Sequence, residues 1–256
     1  MNNYKELQNK RKKYHSQNGE DGLLEYLFTK IPSNKWAVEF GAWDAKYLSN
    51  TFYFIEKHGY SAVLIEGDKN KMPDLEKNIS EYKERVYKIN AFVEDTGENT
   101  LDKLLQQTPI PNDFDILSID IDGNDYYVWK AFNDYKPKVV VIEINIKHKP
   151  EAEEIHNRDE TNYAWGKSGS SIKSLTQLAN EKGYALLTNV SCNAIFIDKK
   201  YLSLFFNKEP KPEDVYTYEA FNLSELNLTE AKRKGGWKLF FNKLIRYPYH
   251  LIKYKK

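Results

Sequence analysis

The segment KVVVIEINI, residues 138–146, constrains this chain more than any other. Val139 to Ile142 run without a polar break, whereas a strand with one wet face would alternate. Such a run is typical of a strand covered on both faces, as in a parallel sheet packed between helices. Further strands are expected at WAVEF (36–40), SAVLIEGD (61–68), RVYKINAFV (85–93) and FDILSIDID (114–122). Between them lie segments with helical character: Asp21 to Lys30 with Leu23, Leu24, Leu27 and Phe28 at helical spacing, Asn50 to His58 closed by Gly59, Lys69 to Tyr82, Thr100 to Gln106, and Asn124 to Phe132. Ser170 to Gly183 reads as an amphipathic helix. YALLTNV (184–190) and NAIFIDK (193–199) read as a closing strand pair. Strands alternating with helices predict a doubly wound α/β sheet. The last two strands follow each other without a helix, so the final one is expected to be antiparallel.

This pattern fills residues 21–206. Residues 1–20 are polar and read as an arm or cap. Residues 147–169 lack a period and read as an insert or acceptor lid, since long loops in compact domains are often functional. Residues 207–256 form a basic, aromatic extension. The net charge of +1 hides an asymmetry, because nine Lys or Arg and no acid follow Glu230. The single cysteine, Cys192, excludes an intrachain disulfide and fits a reducing compartment. No signal peptide is expected in the polar N-terminal stretch, and no stretch approaches the roughly 20 apolar residues of a membrane span. A cytoplasmic protein is expected.

The strands end in acids and amides: Glu39 with Gly41, Glu66-Gly67-Asp68, Asn90, Asp120 with Asp122, and Glu143 with Asn145. In a doubly wound sheet these ends converge on the edge where ligands bind. Unpaired carboxylates brought together there repel one another. Gly41 lets backbone approach a ligand closely, and Glu66 stands where a carboxylate can accept both hydroxyls of a ribose. The loop after the first strand lacks GxGxxG, which disfavours a pyrophosphate-binding dinucleotide site. A cofactor with a ribose and no phosphate fits better, S-adenosylmethionine foremost.

HSQNGEDGLL, VEFGAWDAKYLSNT, AVLIEGD, DILSIDIDGNDYYVWKAF, KPKVVVIEIN and GSSIKSLTQLANEKGYALL followed by NAIFIDKKYL occur in the order seen in FkbM-like S-adenosylmethionine-dependent methyltransferases. The chain resembles that family over about residues 15–202. The resemblance implies a Rossmann-like class I methyltransferase fold, with a seven-stranded sheet whose last strand is antiparallel. It also implies methyl transfer, usually to oxygen, often on sugars or secondary metabolites. By position, Glu39, Gly41, Ala42 and Asp44 match the cofactor loop. Glu66 with Gly67 matches the ribose acid, Asn90 and Ala91 the adenine-side strand end, and Asp120 the motif facing the methyl group. Gln17 and Asp21 match a front-end motif that looks like it closes over the cofactor's amino-acid end. IDIDGND departs from the commoner ID-x-EG-x-E pattern, which shortens the reach of Asp122 and Asp125.

Asp120, Asp122 and His148 are the candidates for catalysis, since an acceptor hydroxyl needs a base. Asp120, Asp122 and Glu143 are an alternative Mg²⁺ set, although no metal is expected to be required. Asp125 reads as a helix N-terminal acid, and Ser170 and Ser171 as helix caps. His156 has solvent exposure as its bland alternative. Tyr163 with Trp165 could stack on a sugar ring or pack the insert. Cys192 has no motif around it. The expected partner is a sugar or surface-glycan precursor, with small metabolites or a phosphorylated glycan substituent as the alternative. No nucleic acid is expected, because no recognition motif accompanies the basic tail. That tail would suit a peripheral contact with an anionic membrane face. A non-catalytic scaffold and an NAD-dependent oxidoreductase are the readings from other classes.

Overall fold

A computed structural model describes residues 4–121, 123–158 and 168–216. Asp122, Tyr163, Trp165 and the basic tail lie outside these residues.

The sheet has seven strands: β1 (Trp36–Phe40), β2 (Ser61–Ile65), β3 (Val86–Ile89), β4 (Ile116–Ile119), β5 (Val139–Glu143), β6 (Tyr184–Val190) and β7 (Asn193–Asp198). Their spatial order is β3-β2-β1-β4-β5-β7-β6. All neighbours from β3 to β5 pair in parallel, and β7 is antiparallel to both β5 and β6. This is the class I methyltransferase topology that the sequence predicts. The helices are α1 (Tyr4–Gln8), α2 (Glu20–Phe28), α3 (Phe52–His58), α4 (Met72–Asn78), α5 (Leu101–Leu105), α6 (Asp125–Ala131), α7 (Ile172–Glu181) and α8 (Pro212–Val215). None of the described helices is long and apolar enough to cross a membrane.

Successive side chains of a strand point to opposite faces, and here both faces are apolar. Ala37, Leu64, Val139 and Val141 join one buried cluster with Leu23, Leu24, Leu27 and Phe54. Val38, Val63, Val140 and Ile142 join a second with Trp129, Leu175 and Phe196. The unbroken VVVI run follows from this two-sided burial.

Several elements differ from their expected bounds. The helix expected over Lys69 to Tyr82 begins at Met72, because Pro73 lacks an amide hydrogen and suits only a first turn. It ends at Asn78, and a separate 3-10 turn covers Ser80–Tyr82. Strands β2 and β4 stop before their acids, which leaves Glu66 and Asp120 in loops. The polar N-terminus contains a helix, α1, docked on β6. There Gln8 Nε2 donates to Thr188 Oγ1 and the Asn189 carbonyl, both at 2.6 Å, and the Tyr4 ring meets Phe206 edge-on at 4.8 Å.

At the amino-terminal edge, Asp115 is fully buried. It accepts from Ser33 Oγ, the amides of Asn34 and Lys35, and the ammonium of buried Lys138 at 2.7 Å. This hub fixes the strand starts away from the ligand edge.

Candidate functional site at the carboxyl edge of the sheet

Strand order reverses between β1 and β4, and ligands of doubly wound sheets bind at that crevice. The crevice is closed tightly at its base. A β-carbon at position 41 would lie 1.9 Å from the carbonyl oxygen of Asp120, and Gly41 has φ +74°. Only glycine fits there. Gly41 thus also serves the approach of β1 to the backbone after β4, beside the backbone approach to a ligand expected of it.

The loop after Gly41 is strained and heavily bonded. Trp43, Ala45 and Leu48 are non-glycine residues in left-handed backbone, at φ 51°, 70° and 58°. Such residues cost on the order of 1–3 kcal/mol each and persist only where their surroundings impose them. Here the surroundings do so. The Ala42 amide donates to the Ile65 carbonyl at 3.1 Å. The Trp43 amide donates to Glu66 Oε2 at 2.7 Å. Asp44 Oδ1 accepts from the amides of Lys46 and Tyr47, so this acid shapes the loop. Lys71, next to the start of α4, places its ammonium 4.3 Å from the centre of the Trp43 ring.

Glu39 is buried beneath this loop. Its carboxylate accepts from Ser49 Oγ at 2.5 Å, Thr51 Oγ1 at 2.6 Å and the Asn50 amide at 2.9 Å. Burial raises its pKa, and the Ser49, Thr51 and Asn50 donors offset part of that. The expected ligand-facing Glu39 is thus a residue that ties the loop to α3. The Ser49-Asn50-Thr51 triplet that receives it is a part of the site not singled out from the sequence. A signal existed, since three cap-forming residues precede a helix there.

Asp21 is likewise buried, and its Oδ2 gathers the amides of Tyr14, His15 and Ser16 at 2.8–2.9 Å. Ser16 in turn forms a parallel bridge with Leu48 of the strained loop. Asp21 therefore builds the front wall from within. Gln17 stands partly exposed on that wall, with Cys192 Sγ 3.9 Å from its Oε1. Glu20 accepts from the Asn18 amide and from Asn193 Nδ2, which fastens the same wall to the start of β7.

Glu66 is buried at the end of β2. One oxygen holds the Trp43 amide, and the other holds the Asp68 amide at 2.8 Å. Gly67 leaves room for the Phe92 ring, which a β-carbon would meet at 2.2 Å. Asn90 Nδ2 braces the Glu66 carbonyl at 2.7 Å, and Ala91 packs against the second apolar cluster.

Asp120 is half-buried at the end of β4. Asp125, expected as a helix N-terminal acid, stands in the first turn of α6 and is buried. It accepts from the amides of Ile121 at 2.9 Å and Gly123 at 2.8 Å, which ties both residues to the start of α6. Burial pushes its carboxyl up to about 7. The Ile121 and Gly123 amides oppose that rise, and neighbouring Asp120 adds to it.

After β5, the amide of half-buried His148 donates to the Asn145 carbonyl, and its own carbonyl accepts from the Tyr216 hydroxyl. Tyr216 also donates to the Ile146 carbonyl at 2.6 Å. His156 is buried rather than exposed, and Ser170 Oγ receives its amide at 3.0 Å. Ser171 alone caps α7, accepting from the Ser174 amide. Among the described residues no group of three or more His, Cys, Asp or Glu is disposed to hold a metal ion. Asp122, one of the three acids considered for Mg²⁺, lies outside them.

No family model and no curated protein matches this chain. Solved structures similar to it include M. capricolum TrmK in complex with S-adenosyl-homocysteine, at 14% identity over 89% of this chain and 95% of that one, with a TM-score of 0.44. Another is a putative caffeoyl-CoA O-methyltransferase from Staphylococcus aureus, at 12% identity over 77% and 92%, with a TM-score of 0.48. A third is a putative O-methyltransferase from Klebsiella pneumoniae, at 11% identity over 76% and 84%, with a TM-score of 0.42. The fold is defined by the chain's own strand order and by its antiparallel last strand.

Proposed function

We propose that this protein is an S-adenosylmethionine-dependent methyltransferase of the FkbM-like kind, methylating an oxygen of a sugar or surface-glycan precursor. The observation that carries this reading is Glu66, a buried carboxylate at the carboxyl end of β2 beside the switch point, held by the strained loop after β1. Carboxylate oxygens accept more than one hydrogen bond each, which suits two ribose hydroxyls. The absence of a glycine-rich phosphate loop suits a nucleoside cofactor without phosphate.

When bound, S-adenosylmethionine supplies an electrophilic sulfonium methyl group. The chain's residues do the rest. Glu66, Gly67, Asn90 and Ala91 form the nucleoside side. Gln17 and the loop from Ala42 to Asp44 form the opposite side, with Glu39 and Asp21 positioning them from beneath. Rate enhancement comes mainly from orienting the acceptor oxygen, which a rigid loop favours. Asp120 is the first choice for taking the acceptor proton, with Asp122 and His148 as the other candidates. The nine Lys or Arg interleaved with aromatic residues after Glu230 support a peripheral contact with an anionic membrane face.

The test is transfer of a labelled methyl group from S-adenosylmethionine to a panel of nucleotide-linked sugars and small aromatic or metabolite acceptors, with and without chelator. Label in a sugar product that survives chelation is expected. Label confined to small aromatic or metabolite acceptors would remove the glycan assignment.

A further inference from the structure

The segment after β5 runs a long way from its strand. Glu154 and Ser171 exchange hydrogen bonds, the Ser171 amide to the Glu154 carbonyl at 2.8 Å and the Glu154 amide to Ser171 Oγ at 3.2 Å. Next, His156 is held from both sides, by Ser170 Oγ at its amide and by the Tyr127 hydroxyl, which donates to its carbonyl at 2.9 Å. Two residues further, the Arg158 guanidinium lies 5.5 Å from the centre of the Tyr127 ring and forms an ion pair with Asp95. Asp95 belongs to the loop that leaves the carboxyl end of β3, five positions beyond Asn90. Tyr127 belongs to α6, whose first turn follows Asp120. One short stretch of chain therefore links the start of α7, the start of α6 and the loop after β3.

These contacts lead from the acceptor side of the site to the nucleoside side. We infer that residues 154–158 form a belt across the mouth of the site, and that the Arg158–Asp95 ion pair is its clasp over the nucleoside end, opening for cofactor exchange. This inference rests on the methyltransferase reading, because Ala91 to Asp95 flank a nucleoside only if Glu66 binds its ribose. Arg158 and Asp95 are positioning residues: they hold a wall and do not touch reacting atoms. Arg158 is about half exposed, so the clasp is weak enough to open and is screened by salt. It is nonetheless directional, because an anion at position 95 pairs with the guanidinium that also lies over the Tyr127 ring.

The experiment measures dissociation of S-adenosylhomocysteine by stopped flow at low and high salt. The proteins are wild type, Asp95→Arg, Arg158→Asp and the double reversal. Each single reversal is expected to speed dissociation about fivefold at low salt, the scale of one exposed ion pair. The double reversal is expected to restore the wild-type rate, and high salt to erase the differences. Recovery on exchanging the charges assigns the effect to the pair rather than to either side chain alone. Wild-type rates in both single variants, or no recovery in the double, would overturn the clasp while leaving the cofactor assignment standing. Failure of the wild type to bind S-adenosylhomocysteine would instead remove the methyltransferase reading, and the clasp with it.

Discussion

Gly41 and Asp120 meet backbone to backbone across the gap between β1 and β4, so closely that a β-carbon on residue 41 would sit 1.9 Å from the Asp120 carbonyl oxygen. The contact brings two features of the site into fixed relation: the loop that would cradle the cofactor, and the acid proposed to face the acceptor. It lies at the point where strand order reverses.

Gly41→Ala is expected to destabilise the fold by about 3 kcal/mol or more, since it adds a clash to a left-handed backbone. Chemical denaturation measures this. A cost below about 1 kcal/mol would show that the two strands are free to part.

Glu66→Ala is expected to weaken S-adenosylhomocysteine binding by about tenfold to a hundredfold, the scale of hydrogen bonds to a charged group. Calorimetry reads the loss. The variant also releases the Trp43 amide, so the loop after β1 should become more susceptible to proteolysis near residues 43–48. Unchanged affinity would remove Glu66 from the ribose site.

Lys138→Met tests the opposite edge. It leaves Asp115 buried without its cation, and breaking a buried pair in this way costs about 3–5 kcal/mol. Cofactor affinity of the folded variant is expected to match wild type, because the pair lies at the strand starts. A variant that is stable and has lost its cofactor would contradict this division between the two edges.

Much of this arrangement can be read from the sequence. The VVVI run announces a two-sided sheet, and acids at successive strand ends mark the functional edge. The partner of each acid is harder to read. Glu39 and Glu66 look alike as strand-end carboxylates, yet Glu39 lies under Ser49 and Thr51 while Glu66 faces the backbone of another loop. Residue type gives the charge, and only the path of the intervening loop gives the donor. Helix α1 is too short to be stable alone, and Gln8 and Tyr4 order it through contacts far along the chain. The Asp115–Lys138 pair is a matter of register: Ile116 pairs with Val139, which makes the preceding residues neighbours.

Asp125 makes stability depend on pH. Its carboxyl is near 7 in the fold and near 3.8 as an ordinary side chain. Between about pH 4 and 7 the folded chain holds a proton that the unfolded chain has released, so stability falls as pH rises through that window and levels off above it. Glu39 and Asp102, also raised chiefly by burial, act in the same direction. Asp125→Asn is expected to flatten the decline by an amount on the order of a few kcal/mol. Urea denaturation from pH 4.5 to 8 would show it, and identical slopes for the two proteins would exclude Asp125 as the source.

The central claim is the cofactor, and calorimetric titration of the purified, cofactor-stripped protein tests it most directly. The ligands are S-adenosylmethionine, S-adenosylhomocysteine and, as control, NAD. Binding of the first two in the micromolar range with no heat from NAD is the predicted result. Absence of binding to both sulfur nucleosides would contradict the account and leave a methyltransferase fold serving as a scaffold.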